Sequence, residues 1–177
     1  MAKNIVKNID KVIKDIEKFG IDAKQEISFI TQDVAGTIKL DAKNNANRLG
    51  VKDRGDLVQG IEEVRVTDTN YKIEARAKYS AFMEFGTGTK VRVPKEMQEI
   101  ASQFKGKKEG SFSDALKFIR EWCKRKGIDE SAAYPILISI LNKGIEARPY
   151  LYPAFVKGRK EYLKALKDLL NTLSKKV

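Results

Sequence analysis

An α+β fold is predicted, with a small antiparallel sheet of three or four strands packed on long N- and C-terminal helices and a helical insertion between them. Three features of the 177-residue sequence predict it. Apolar residues recur three and four apart at both ends of the chain, the spacing of one helix face. A strict two-residue alternation runs from Tyr71 to Tyr79, the spacing of a half-buried strand. Between these, residues 94–146 carry helix caps and glycine stops rather than strand patterns. The length suits a single domain, read as an arm over 1–47, a sheet over 48–93, the insertion over 94–146 and a last helix over 147–177.

In the arm, Ile5, Ile9, Val12, Ile13, Ile16 and Phe19 form one stripe, interrupted at Gly20. Asp22 can cap a second run carrying Ala23, Ile27, Ile30, Val34, Ile38 and Ala42. An unbroken helix from Asn4 to Asn47 spans roughly 65 Å, too long for a small domain to cover. Either Gly20 is a turn and the halves fold back on each other, or the arm packs on a neighbouring subunit; a break near Gly20 is the preferred reading. Asn44, Asn45, Asn47 and Gly50 end the helix and open a polar loop. The tripeptide Arg54-Gly55-Asp56 in that loop matches an adhesion motif by length alone and carries no argument.

Leu57 to Val66 reads as a strand with a bulge at Gly60, where the apolar parity changes. Thr67-Asp68-Thr69-Asn70 makes a turn. In the next strand Tyr71, Ile73, Ala75, Ala77 and Tyr79 point one way and Lys72, Glu74, Arg76 and Lys78 the other. Val91–Val93 suggests a short edge strand. Gly86-Thr87-Gly88-Thr89-Lys90 lacks the spacing of a phosphate loop and reads as a glycine turn. Pro94 can open a short helix to about Gln103, and Lys105–Gly110 is a charged linker. Ser111 and Asp114 form a capping box for a helix with Phe112, Ala115, Leu116, Ile119, Trp122 and Cys123, stopped at Gly127. Asp129 can cap another, with Pro135 in its first turn or kinking it and Gly144 at its end. The last helix, to about Ser174, is expected to bury Val156, Leu163, Leu166, Leu170 and Leu173.

Composition removes whole classes of chemistry. Histidine is absent and Cys123 is the only cysteine, so imidazole-activated nucleophiles, imidazole metal sites and thiolate zinc sites have no residues to build them. No catalytic residue, cofactor site or metal site is assigned, and the chain is read as a non-enzyme. No apolar run approaches the roughly 20 residues of a membrane span, and the N-terminus has no signal-peptide pattern. No membrane partner is expected, and the cytoplasm is the expected place of synthesis. The net charge is +11, and residues 147–177 hold eight Lys and Arg against two Asp and Glu. Lys157, Arg159, Lys160, Lys164 and Lys167 are the candidate polyanion contacts; solvent or an acidic neighbouring subunit are the other partners that suit them.

Two compact stretches stand apart. The first is Tyr79-Ser80-Ala81-Phe82-Met83-Glu84-Phe85-Gly86-Thr87-Gly88. The second is Ala147-Arg148-Pro149-Tyr150-Leu151-Tyr152-Pro153-Ala154-Phe155. Glu84 lies among aromatics with no second acid to share catalysis, so it is expected to accept backbone hydrogen bonds or to pair with Arg148. Gly86 and Gly88 supply backbone angles closed to other residues.

Tyr79, Phe82, Met83, Glu84, Phe85, Gly86 and Thr87 resemble the Y-x-x-[YF]-[VM]-E-F-G-T motif of the tail-completion (head–tail joining, minor tail) proteins of long-tailed bacteriophages and prophages. Arg148, Pro149, Tyr150, Leu151, Pro153, Ala154 and Phe155 resemble the R-P-[FY]-L-x-P-A-[FL] motif of the same family. Gly55-Asp56-Leu57 stands where the family has T-G-x-L, with Arg54 replacing the threonine. The stretch around Trp122, Lys124, Lys126, Gly127 and Ile128, then Lys143-Gly144-Ile145, is similar to the insertion of longer members. The resemblance covers roughly residues 50–170 and implies a structural virion subunit at the neck–tail junction. It further implies a homo-oligomeric ring, sixfold where it matches the tail, with neck or connector and tail-tube proteins as neighbours and DNA passing through the lumen. The competing reading from the residues is a DNA-binding protein that uses the basic last helix.

Overall fold

The run from Ala23 to Ala42 folds as one side of a 27-residue helix, α1 (Asp22–Arg48). The computed structural model describes residues 22–51, 55–103 and 111–174. The stripe Ile5–Phe19, the break at Gly20, Arg54 and the linker Lys105–Gly110 lie outside the described residues. The fold is α+β and mostly helical, with long helices towards both ends and one small antiparallel sheet. Its elements divide into two compact units, Met1–Ala77 with Tyr150–Val177, and Lys78–Pro149. The second unit is wider than the expected insertion, because it takes in the whole first aromatic stretch.

In the first unit α1 lies antiparallel to the last helix, α7 (Leu151–Ser174). Ala23 and Ile27 of α1 meet Tyr162 and Leu166 of α7, with Ile30, Val34, Leu169, Leu170 and Leu173 packed around them. The pairing continues through polar contacts. The Thr31 hydroxyl and the Tyr162 phenol lie 3.1 Å apart, Lys157 Nζ reaches Asp41 Oδ2 at 2.8 Å, and Asn45 Nδ2 donates to Tyr150 O at 3.1 Å. Burial pushes the Tyr162 phenol pKa above its ordinary value, and the Thr31 hydrogen bond partly offsets it. At Gly158 the helices approach so closely that a Cβ there would collide with Cγ1 and Cδ1 of Ile38.

Against α1 lies a hairpin, β1 (Ile61–Thr67) and β2 (Asn70–Ala75), paired from Ile61↔Ala75 to Thr67↔Asn70 with an irregularity between Arg65 and Thr67. That register sets Glu62 opposite Glu74, which like charges disfavour. Arg76 lies between them, 2.6 Å from Glu62 and 3.3 Å from Glu74, and Lys72 adds a contact to Glu74 at 2.8 Å. Those hydrogen bonds, Lys72 first, hold the Glu74 carboxyl below its usual pKa.

Ahead of β1, Gly55 in the left-handed region starts a single helical turn, α2 (Asp56–Gln59), which buries Leu57 completely. The bulge expected at Gly60 is therefore a helix end: Gly60 N–H donates to Asp56 O at 2.8 Å, and the parity change marks the passage from helix to strand. β2 stops at Ala75, short of Tyr79, because its partner strand begins at Ile61; the last contact is Arg76 N–H to Gly60 O at 2.9 Å.

The second unit opens with α3 (Ser80–Phe85), passes two 3₁₀ turns, Gly88–Lys90 and Lys95–Met97, and reaches α4 (Gln98–Ser102). It then forms a helix pair, α5 (Phe112–Lys126) and α6 (Ala133–Lys143). Both capping-box bonds are present at Ser111 and Asp114, and Gly127 closes α5 in the left-handed region. Asp129 caps the turn before α6 by accepting from Ser131 N–H at 2.7 Å, and Pro135 falls in the first turn of α6, where no intrahelical N–H is needed. Cys123, Ala133 and Leu137 are buried within this unit. Residues 91–93 form no strand; Arg92 N–H instead donates to Phe85 O at the end of α3.

Candidate functional site

A helix end without side-chain caps needs outside donors for its last carbonyls, and α3 finds them in the main chain of two later segments. Gly86 N–H donates to Phe82 O at 2.9 Å, Arg148 N–H to Met83 O at 2.7 Å and Arg92 N–H to Phe85 O at 2.8 Å. Thr87 then closes a two-way clamp. Its N–H donates to Ile145 O at 2.9 Å, and its Oγ1 accepts from Ile145 N–H at 2.7 Å. Thr89 Oγ1 adds a bond to Lys143 O at 3.3 Å.

Such close passage of backbones leaves no room for side chains. At Gly86, with φ of 75°, an added Cβ would lie 2.7 Å from Lys90 O, 2.8 Å from Ile145 O and 2.9 Å from Ala147 N. At Gly144, with φ of 76°, it would overlap Thr87 O. The glycines here serve approach and turning together, and the 3₁₀ turn that follows is too short to offer a phosphate a helix N-terminus.

The predicted residues are distributed as follows. Phe85, Gly86 and Glu84 are buried, Glu84 being only 5% exposed. Phe82 is exposed, while Tyr79 and Thr87 are half-buried. What ties Arg148 to the first stretch is its main chain; its side chain is exposed, as is Pro149. Arg148 and Pro149 belong to the second unit, whereas Tyr150, Leu151 and Pro153 belong to the first. Among the described residues Tyr150 is the largest of the fully buried side chains, and Pro153 takes the third position of α7, where its missing N–H costs nothing.

Among the basic residues of α7, Lys157 is held by Asp41, a contact that raises its pKa, and lies 3.9 Å from Glu161. Arg159, Lys160, Lys164 and Lys167 are exposed. Lys160, Lys164 and Lys167 follow one another at spacings of four and three, on the side of α7 away from its buried stripe.

That stripe differs from the expected one. Ala154, Gly158, Tyr162 and Leu166, each four apart, are buried, and Leu163 is 52% exposed. The signal lay in the four-residue spacing of small and aromatic residues, which a search for leucines passes over. Gly144 and Ile145 are the other residues missed as part of the clamp. Among the described residues no group of three or more Cys, Asp or Glu side chains is placed to hold a metal ion, and no helix is long and apolar enough to cross a membrane. Comparison with protein-family models, with curated proteins and with solved structures gave no match.

Proposed function

We propose that this chain is a structural subunit of the head–tail junction of a long-tailed phage or prophage, a tail-completion protein that assembles into a ring around the path of the DNA. The observation that carries the reading is the clamp of Thr87 on Ile145 with Arg148 N–H on Met83 O. The chain just before and at the start of the second motif binds the first motif through main-chain bonds and glycine contacts. The residues that carry the resemblance therefore do architectural work, which suits a building block better than a reaction centre.

On this reading the partners are further copies of the chain, neck or connector proteins and tail-tube proteins, and the place of action is the virion neck after assembly in the host cytoplasm. The third and fourth strands come from neighbours. Within the sheet of two, each strand has one edge that is not paired there, and Val66 beside the irregular turn is 57% exposed; an added strand would cover such an edge. The row Lys160, Lys164 and Lys167 favours DNA binding as the second reading.

Light scattering with negative-stain images of the purified protein separates the two. Closed rings, or a monomer taken up only into tails, are expected. A monomer that shifts short duplex DNA, with affinity falling steeply as salt rises, would replace the first reading with the second.

A further inference from the structure

The two long helices of the first unit turn complementary faces outward, on opposite sides of their pairing. On α1, Ala23, Ile27, Val34 and Ile38 meet α7, while Phe29, Asp33, Gly36 and Leu40 recur three and four apart on the other side. Phe29 is 70% exposed and Leu40 is 60% exposed. They flank a groove of about 390 Å³ whose walls include Asp33, Gly36 and Glu63 of β1. Glu63 Oε1 takes Lys39 at 3.3 Å, but Glu63 Oε2 is shielded from solvent and has no hydrogen-bond partner. Two carboxylates against one lysine leave the groove acidic as well as apolar at its ends. On α7, Lys160, Leu163, Lys164 and Lys167 share the side away from the buried stripe, and all four are exposed. This face is an apolar residue among cations. Lys160 to Lys167 spans roughly 10 Å, which fits within the roughly 16 Å from Phe29 to Leu40.

We infer that the groove of one copy takes the Lys160–Lys167 face of α7 from a second copy, with Leu163 seated between Phe29 and Leu40 and the lysines about Asp33 and Glu63. The inference rests on the self-assembling subunit proposed above and names the contact that joins its copies. Burial of the three apolar side chains supplies attraction. The opposite charges select which helix enters and in which register, although ion pairs at so open a surface add little affinity on their own. Groove and lysine row lie on opposite sides of the helix pair, so no chain can fill its own groove. The contact is therefore head-to-tail, and each copy added leaves one groove and one row open until the assembly closes as a ring. Pairing of α1 with α1 would instead bring two acidic grooves together and stop at two chains.

Light scattering on the full-length protein and two variants tests this. Phe29→Asp spoils the groove and Leu163→Asp spoils the row; both sites are exposed, and circular dichroism confirms that each variant folds. Each substitution alone should weaken self-association by at least about tenfold. Mixed in equal amounts, the two variants should form a complex of two chains and nothing larger, because the intact row of one fits the intact groove of the other. Assemblies indifferent to both substitutions overturn the inference and leave a ring-forming subunit in place. A mixture that stays monomeric overturns it as well. A wild-type protein that is monomeric at every concentration overturns it too, while uptake into tails still stands. A monomer that shifts duplex DNA, and loses the shift on Lys160→Glu, Lys164→Glu and Lys167→Glu together, overturns both this contact and the subunit reading.

Discussion

Gly86 has a backbone carbonyl or amide on three sides and a φ that L side chains avoid. Gly86→Ala should therefore lower the unfolding free energy by more than about 2 kcal/mol, measured by urea denaturation, because neither the carbonyls nor the torsion can yield. Gly158 poses a finer contest. Alanine gains about 1 kcal/mol of helix preference over glycine, but its Cβ would overlap Ile38, and overpacking a helix contact costs about 1–3 kcal/mol. Collision should win, so Gly158→Ala destabilises. In a double-mutant cycle with Ile38→Ala the losses should fall short of additive, since the smaller residue removes the obstacle; strict additivity would show that the approach at Gly158 does not limit the packing. Gly86 was readable as a glycine with a backbone angle closed to other residues, but the crowding around it and the role of Gly158 were hard to see in the sequence. A backbone passing close to a backbone leaves no side-chain pattern, only a glycine, and Gly158 with Ala154 looks like a gap in an apolar stripe although both are buried.

Elements whose limits are set by neighbouring residues were legible almost to the residue. α5 begins at a Ser111–Asp114 box and ends at a left-handed Gly127, both local devices. Ser111→Ala should destabilise by about 1 kcal/mol. The Ser111 hydroxyl and N–H hold the Asp114 carboxyl below its ordinary pKa of 3.8. Its share of the stability is therefore complete above that value and is lost as pH falls through the lowered one. The gap in stability between wild type and Ser111→Ala should accordingly narrow as thermal melts are taken from pH 6 towards pH 3.

Elements that depend on distant partners were not legible in this way. One turn of α2 has no period to detect, so Leu57 was read into the following strand. Residues 91–93 have a strand's composition, but Arg92 N–H is taken by the end of α3. The two strands that did form were foreseen because alternation survives wherever one face is covered.

Taken whole, the first unit draws on both ends of the chain, and its core cluster takes two buried residues from α1 and two from α7. A chain stopped after Pro149 should therefore lose more helix by circular dichroism than the 24 residues of α7 account for, because α1 alone leaves Ala23 and Ile27 in water. Retention of the full α1 signal would show that α1 is held by something other than α7. The overall class was readable because the helical and strand periods are properties of each segment. The division at Lys78 and Pro149 was not, because it depends on which of those segments touch.

The main-chain bond from Arg148 N–H to Met83 O also bears on how the protein is made. Thr31 and Tyr162 are 131 positions apart, so at ribosomal speeds α1 emerges on the order of ten seconds before its mate. Residues 78–149 are synthesised within that interval, and their stitched ends bring the nascent polypeptide back to where it departed. The entropy of joining α1 to α7 then reflects a short tether rather than a long excursion, so late pairing of the termini becomes a local event.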